Sequence, residues 1–150
     1  MWGDINYSHK TAMSRKKLSA PARWLKDNGL ITDGCWLDFG SGKGYDGTEL
    51  NMTLYDPYYS PWDLYEKEGW FSGVMCNYVL NTLKPNDIDT VQYQISRMLN
   101  LGGIAYITVR CGLKRTGKTS KGYQYNVKLG LPIIHQTSSY IIYEMEAKTH

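Results

Sequence analysis

The residues best placed to do chemistry form one short run, Asp38-Phe39-Gly40-Ser41-Gly42-Lys43-Gly44. Three glycines at alternate positions let the backbone approach a ligand closely, because no Cβ intervenes and positive φ carries no steric cost. The spacing is G-x-G-x-G with a carboxylate two residues before it, which departs from the G-x-G-x-x-G fingerprint of dinucleotide binding. A diphosphate wants helix N-terminal N–H groups and no anion nearby. An ammonium, in contrast, is favoured by a carboxylate such as Asp38, directly or through water. Eighteen residues further on, Asp56 ends the next apolar run, where a carboxylate can accept both hydroxyls of a ribose. The pair predicts a site for a nucleoside carrying a cationic chain; the plain alternative is a surface turn whose glycines serve only chain reversal.

Other residues support or qualify that expectation. Asn77, followed by Tyr78, stands at the end of a strand-like run; its amide carbonyl could accept a hydrogen bond from an attacking amine and so position a reacting group. Lys10, Thr11, Ser14 and Arg15 precede or open a helix, and two readings stand for them: contacts to a cofactor or phosphate, or an ordinary cap beside solvated lysines. The loop residues Lys114, Arg115, Lys118, Lys121 and Lys128 are interleaved with Tyr123 and Tyr125, a pattern that suits single-stranded nucleic acid or a mobile solvated loop. No Cys, His or acid set has metal-ligand spacing, so no metal is expected.

These residues need elements to hold them. Residues 14–28 place Leu18, Ala22 and Leu25 at helical spacing, with Ser14 as cap and Gly29 as stop. Residues 34–39 form a buried-strand run entering the glycine-rich turn, 52–56 a second strand closed by Pro57, and Phe71 to Leu80 a third. Ile88, Val91, Ile95, Met98 and Leu99 mark a helix over 86–99 that Gly102-Gly103 should stop before a strand over 104–109. Residues 112–130 are polar and glycine-rich, and the chain closes with an expected hairpin of 132–136 and 140–145. Strands alternating with helices imply a three-layer α/β sandwich around a mostly parallel sheet.

At 150 residues and 42% hydrophobic, one core without metal or disulfide support is expected, a single domain with an N-terminal helical cap over 1–30 and a Rossmann-like core over 31–150. Cys35, Cys76 and Cys111 are odd in number and read as reduced, mostly buried thiols. Apolar runs fall short of the roughly 18 residues a membrane span requires, and a soluble cytoplasmic protein without membrane partners is expected. The net charge of +3 is unevenly spread: six Lys and Arg against two acids in residues 1–30, four against ten in 31–100, and seven against two in 101–150. Two basic flanks could attract a polyanion such as nucleic acid, or simply solvate exposed faces.

The run from Asp38 to Gly44 resembles the first motif of class I S-adenosylmethionine-dependent methyltransferases, and Phe71 to Leu83 resembles their fourth-strand region. More narrowly, HKTAMSRKKLSAPARWL, LDFGSGKGYDGTEL, YDPYYSP and NYVLNTLKP follow one another as in methyltransferase-like proteins associated with DNA phosphorothioation systems and in related phage proteins. The resemblance covers roughly residues 9–110. It implies that Asp38, Gly40, Gly42 and Gly44 hold the methionine part of S-adenosylmethionine, that Asp56 holds its ribose, and that Asn77 faces methyl transfer. Phe39, Ser41, Pro57, Tyr58 and Asn77 are further expected cofactor contacts, Asn77 and Tyr78 are the candidate catalytic residues, and Lys10, Thr11 and Ser14 stay candidates for a cofactor or phosphate contact. The stretch from 57 to 70 is too short for the family's additional helix and strand, which implies a sheet shortened between its second and fourth strands. Asp56-Pro57-Tyr58-Tyr59 also resembles the D-P-P-Y motif of DNA amino-methyltransferases, but it closes the second strand rather than the fourth, which favours Tyr58 and Tyr59 as walls of the cofactor pocket. The implied activity is methyl transfer to nucleic acid or a nucleic-acid-bound target. A cofactor-binding module without activity, or an enzyme that cleaves the cofactor, is the alternative.

Overall fold

A computed structural model describes residues 14–113, 117–119 and 122–147. Lys10 and Thr11 lie outside them, as do Lys114, Arg115 and Lys121. The central sheet has six strands in the order β2-β1-β3-β4-β8-β7: β1 is Trp36–Phe39, β2 Thr53–Tyr55, β3 Phe71–Asn77, β4 Leu99–Arg110, β7 Ile133–Gln136 and β8 Tyr140–Glu146. The pairs β1–β2, β1–β3 and β3–β4 are parallel, and β8 joins β4 and β7 antiparallel as the C-terminal hairpin. As the short 57–70 stretch implied, β2 is the sheet edge; only a 3-10 turn, Leu64–Lys67, precedes β3.

Helices cover both faces. On one, helix α3 (Pro85–Met98) buries Val91, Ile95 and Met98 against Leu37, Phe39, Val74 and Cys76. On the other, helix α1 (Ala20–Asp27) sets Ala22 and Leu25 against Trp36, Met75, Tyr106 and Ile142. Alternate residues of β1 and β3 therefore feed opposite cores, which is why these strands read as continuous apolar runs.

Four local expectations are corrected. Helix α1 starts at Ala20, with Ser19 rather than Ser14 as its cap: the Ser19 side chain accepts from the Ala22 N–H, and Pro21 occupies the first turn, where a missing N–H costs nothing. The end at Gly29 is as read, with Gly29 and Leu30 donating to the carbonyls of Lys26 and Leu25 in a Schellman arrangement. Gly102-Gly103 lies inside β4 rather than ahead of it; pairing passes from Phe71–Leu99 to Gly73–Ile104, so the glycines absorb an irregularity in the ladder. The 112–130 segment contains a small hairpin, β5 (Gly117–Thr119) with β6 (Gly122–Gln124); Asn126 supports its base by bonding both the N–H and the carbonyl of Leu113. Of the cysteines, Cys76 is buried and Cys111 partly so, but Cys35, just before β1, is exposed. No helix among the described residues is long and apolar enough to cross a membrane.

Candidate cofactor and acceptor site

The C-terminal ends of the parallel strands open into one cavity. The glycine-rich turn after β1, Asp56 and Pro57 after β2, Asn77 and Tyr78 after β3, and Arg110 at the end of β4 all line it. This is the crevice where open α/β sheets bind ligands, because successive strand ends diverge there.

The turn is held by its own backbone. Gly40 and Ser41 donate to the Tyr55 carbonyl at 2.7 and 2.8 Å, Gly44 donates to Ser41 O at 2.9 Å, and Gly42 donates to Asp56 Oδ2 at 2.8 Å. With these N–H groups spent inside the protein, the turn is no diphosphate cradle. Gly40 has φ of +80°, and a Cβ there would lie 2.3 Å from Val79 Cγ2, so close chain approach as well as conformation requires glycine.

Asp56 is nearly buried, and its carboxylate accepts three backbone N–H groups: Gly42 on Oδ2, and Tyr58 and Tyr59 on Oδ1 at 2.9 and 3.1 Å. The aspartate ties the β2 end to the glycine turn. Of the roughly four lone-pair sites on a carboxylate, about one remains for a ligand. The same turn directs the tyrosines outward. Tyr58 is 50% exposed and packs edge-on against Tyr59, so these rings do not wall the cavity; Pro57 does. Phe39 likewise departs from the expected contact set: its ring is fully buried in the core beside Tyr55, because alternation along β1 sends Asp38 and Phe39 to opposite faces.

Asp38 is 4% exposed. Burial, with the carboxylate of Asp46 nearby, pushes its carboxyl from 3.8 up to about 8, although a Gly47 backbone N–H partly offsets this. Helix α2, Tyr45–Glu49, carries Asp46 in its first turn. Asp46 accepts from both the N–H and the hydroxyl of Ser19, at 2.9 and 2.6 Å. The arm before α1 thus lies across the turn, with Lys43 Nζ donating to Ser14 Oγ at 3.0 Å and the Tyr45 hydroxyl to Lys16 O at 3.0 Å. Ser14 lines a shallower hollow adjoining the main cavity.

The opposite end is chemically different. Both polar atoms of the Asn77 side chain are shielded from solvent and have no hydrogen-bond partner among the described residues; on the turn itself the same holds only of Ser41 Oγ. Tyr78 has a left-handed backbone, φ +62°, which ends β3 and turns the chain back over the cavity; its N–H donates to Thr108 O. The Arg110 guanidinium lies 4.2 Å from the Tyr78 ring centroid. Burial raises the Tyr78 hydroxyl above the usual phenol range, and Arg110 and Arg15 act in the other direction. Beneath them the fully buried Asn81 bonds Gln124 Oε1 at 2.9 Å, while its carbonyl accepts from the Tyr125 N–H. The small hairpin thereby delivers Gln124 to the wall.

The structure therefore brings together Asp38, Gly40, Ser41, Gly42, Gly44, Asp56, Pro57, Asn77 and Tyr78 around one cavity, and leaves the rings of Phe39 and Tyr58 outside it. Asp46, Ser19, Asn81, Gln124 and Arg110 were not singled out from the sequence. Asp46, two residues beyond the last glycine, was the one with a signal, as a second acid close to Asp38.

No protein-family model matches the chain, and no curated protein does. Solved structures do. A 1,6-didemethyltoxoflavin-N1-methyltransferase of Burkholderia thailandensis, bound to its 1,6-didemethyltoxoflavin and S-adenosylhomocysteine, superposes with a TM-score of 0.64 at 15% identity, over 87% of this chain and 78% of that one. A SAM-dependent methyltransferase of Thermotoga maritima gives 0.63 at 10% identity, over 96% and 91%. Magnesium protoporphyrin IX methyltransferase of Synechocystis, with bound S-adenosylhomocysteine, gives 0.55 at 14% identity, over 86% and 81%. With its strand order, its hairpin and its cavity at the strand ends, the chain has the Rossmann-like fold of the class I S-adenosylmethionine-dependent methyltransferases.

Proposed function

We propose that this protein is an S-adenosylmethionine-dependent methyltransferase whose acceptor is nucleic acid or a nucleic-acid-associated molecule, acting in the cytoplasm. The observation that carries the cofactor is the buried Asp38 carboxyl beside Asp46, at a glycine turn whose N–H groups are already spent. Such a site repels phosphate and gains most from a cation. The ammonium of the cofactor suits Asp38 and Asp46, the open glycine backbone suits its methionine chain, and the remaining lone pair of Asp56 suits one ribose hydroxyl. Bound there, the cofactor supplies a sulfonium methyl group for in-line displacement. The chain's own part is to align the acceptor and exclude water. Asn77 Oδ1, which has no partner among the described residues, accepts a hydrogen bond from an attacking amine, and Tyr78 bounds the acceptor beside it.

The nucleic-acid assignment rests on the two basic flanks and on the resemblance to phosphorothioation-associated and phage proteins; Arg15, Lys43 and Arg110 bring positive charge to the described part of the cavity wall. Purified protein incubated with methyl-labelled cofactor and, separately, DNA, RNA and cell protein tests the reading. Label on DNA or RNA is expected. Cofactor binding without transfer would mark a non-catalytic module, and cofactor loss without transfer a cleaving enzyme.

A further inference from the structure

We propose that Arg110 binds an anionic group, specifically a phosphate, on the methyl acceptor, and that Tyr78 is the platform that holds it in place. The inference rests on the methyltransferase reading and adds the chemistry that selects the acceptor.

The cavity is electrically divided. Its carboxylates, Asp38, Asp46 and Asp56, belong to the β1–β2 side, where the glycine turn lies. Arg110 ends β4, on the far side of β3 from β1. In the β3–β4 ladder Asn77 pairs with Thr108, so Arg110 stands two residues beyond the level of the unpartnered amide. A ligand group reaching Arg110 has therefore passed Asn77, moving away from the cofactor's end of the cavity.

Arg110 is also poised without being consumed. Among the described residues no carboxylate pairs with its guanidinium, and Arg97 pairs with Glu68 elsewhere in the molecule. Its stacking on Tyr78 uses no N–H donor, so the planar fork stays able to hold an oxyanion through two parallel bonds. The backbone around it is fixed: the Arg110 N–H points to Asn81 Oδ1 at 3.4 Å, and Arg110 pairs with Tyr140, whose ring meets that of Tyr78 edge-on. The left-handed Tyr78 supplies the face. A non-glycine residue in this conformation is costly and tends to mark a functional constraint. Arg15, which lines the same cavity and whose charge also acts on the Tyr78 hydroxyl, adds charge suited to a phosphate rather than to a neutral acceptor.

The test titrates protein loaded with S-adenosylhomocysteine with a panel of deoxynucleosides, the matching 5′-monophosphates and a short single-stranded oligonucleotide. Wild type, Arg110→Lys and Arg110→Gln are compared calorimetrically. For wild type, at least one phosphate-bearing ligand is expected to bind about tenfold more tightly than its nucleoside, in line with one charge-assisted pair of about 1.4 kcal/mol. That preference should fall below about twofold in Arg110→Gln and partly return in Arg110→Lys, with affinity for S-adenosylhomocysteine unchanged in all three. A monophosphate that suffices marks a small-molecule acceptor, and a requirement for the oligonucleotide marks a polymer; both outcomes support the phosphate. The proposal is overturned if no phosphate-bearing ligand outbinds its nucleoside, if the preference survives Arg110→Gln, or if that variant loses S-adenosylhomocysteine binding, which would assign Arg110 to the cofactor. Failure of wild type to bind S-adenosylhomocysteine at all is a separate result, and sinks the cofactor reading instead.

Discussion

The two ends of the cavity are built on opposite terms. At the glycine-turn end most polar groups are saturated, Ser41 Oγ excepted: Asp56 holds three N–H groups, Asp46 two donors from Ser19, and the N–H groups of Gly40, Ser41, Gly42 and Gly44 are occupied. At the Asn77 end, among the described residues, the amide has no hydrogen-bond partner and the Arg110 guanidinium meets the Tyr78 ring rather than a carboxylate. One end is preorganised as rigid scaffold, and the other leaves its hydrogen-bonding capacity open. The contrast teaches that substitutions at the first end should damage the fold together with the cofactor site, whereas those at the second should damage function while sparing the fold.

The largest effect is expected from Gly40→Ala. The new methyl meets Val79 at 2.3 Å and must adopt φ of +80°, so an overpacking cost of about 1–3 kcal/mol adds to the left-handed penalty of about 1–2 kcal/mol. Denaturant unfolding should show the loss, and cofactor binding should vanish with it. A Gly40→Ala chain as stable as wild type would mean that the turn is not the rigid partner described. Next comes Asp56→Ala, which strands the N–H groups of Gly42, Tyr58 and Tyr59. Tyr58 and Tyr59 are exposed, so water can take up most of these donors; the loss should come to about 1–3 kcal/mol, and the melting temperature should drop even without ligand. If stability is unchanged and only ligand affinity falls, Asp56 is a ribose ligand first and a scaffold second.

Asp38 sharpens the comparison through pH. Its folded-state value of about 8 exceeds the ordinary 3.8, so between these limits the folded chain holds a proton that the unfolded chain has released. Its contribution to stability is therefore greatest at the acid end and declines as pH rises toward 8, by at most about 1.4 kcal/mol per pH unit. A cationic ligand favours the ionised form, so its binding releases the proton, and its affinity should climb as pH rises toward 8. Melting curves and calorimetry across that window, repeated on Asp38→Asn, check both slopes; a variant that keeps them places the titration elsewhere. The smallest effect on stability belongs to Asn77→Ala, because deleting an amide with no partner among the described residues removes a desolvation cost along with its packing. Unfolding free energy should stay within about 1 kcal/mol of wild type while methyl transfer is lost. Full turnover in this variant would remove Asn77 from the reaction.

What the sequence revealed follows the same division. The glycine turn, Asp38 and Asp56 were legible because local spacing writes them: a strand, a turn and a second strand closed by an acid. The shortened sheet was legible from chain length alone, since 57–70 has no room for another helix and strand. Arg110, Gln124 and Asn81 were not, because they meet only when β4 and the β5–β6 hairpin fold over the end of β3, and a polar glycine-rich run such as 112–130 carries no periodicity to announce a hairpin. Ser14 was mistaken for the cap because the hydroxyl that matters, Ser19, lies beside Pro21 and reaches across to Asp46. Motif position alone puts Phe39 and Tyr58 at the cofactor, but side-chain direction, set by strand alternation and by the Asp56 turn, sends their rings elsewhere.

The central claim is that the buried Asp38 carboxyl, with the half-buried Asp46 beside it at a glycine turn whose N–H groups are spent, recognises a cationic nucleoside. Calorimetric titration of the purified chain with S-adenosylmethionine and S-adenosylhomocysteine tests it most directly. Saturable one-to-one binding, lost when Asp38 becomes leucine, is the predicted result. No saturation up to about 1 mM, a binding free energy no better than about 4 kcal/mol, or undiminished binding by the leucine variant would contradict it.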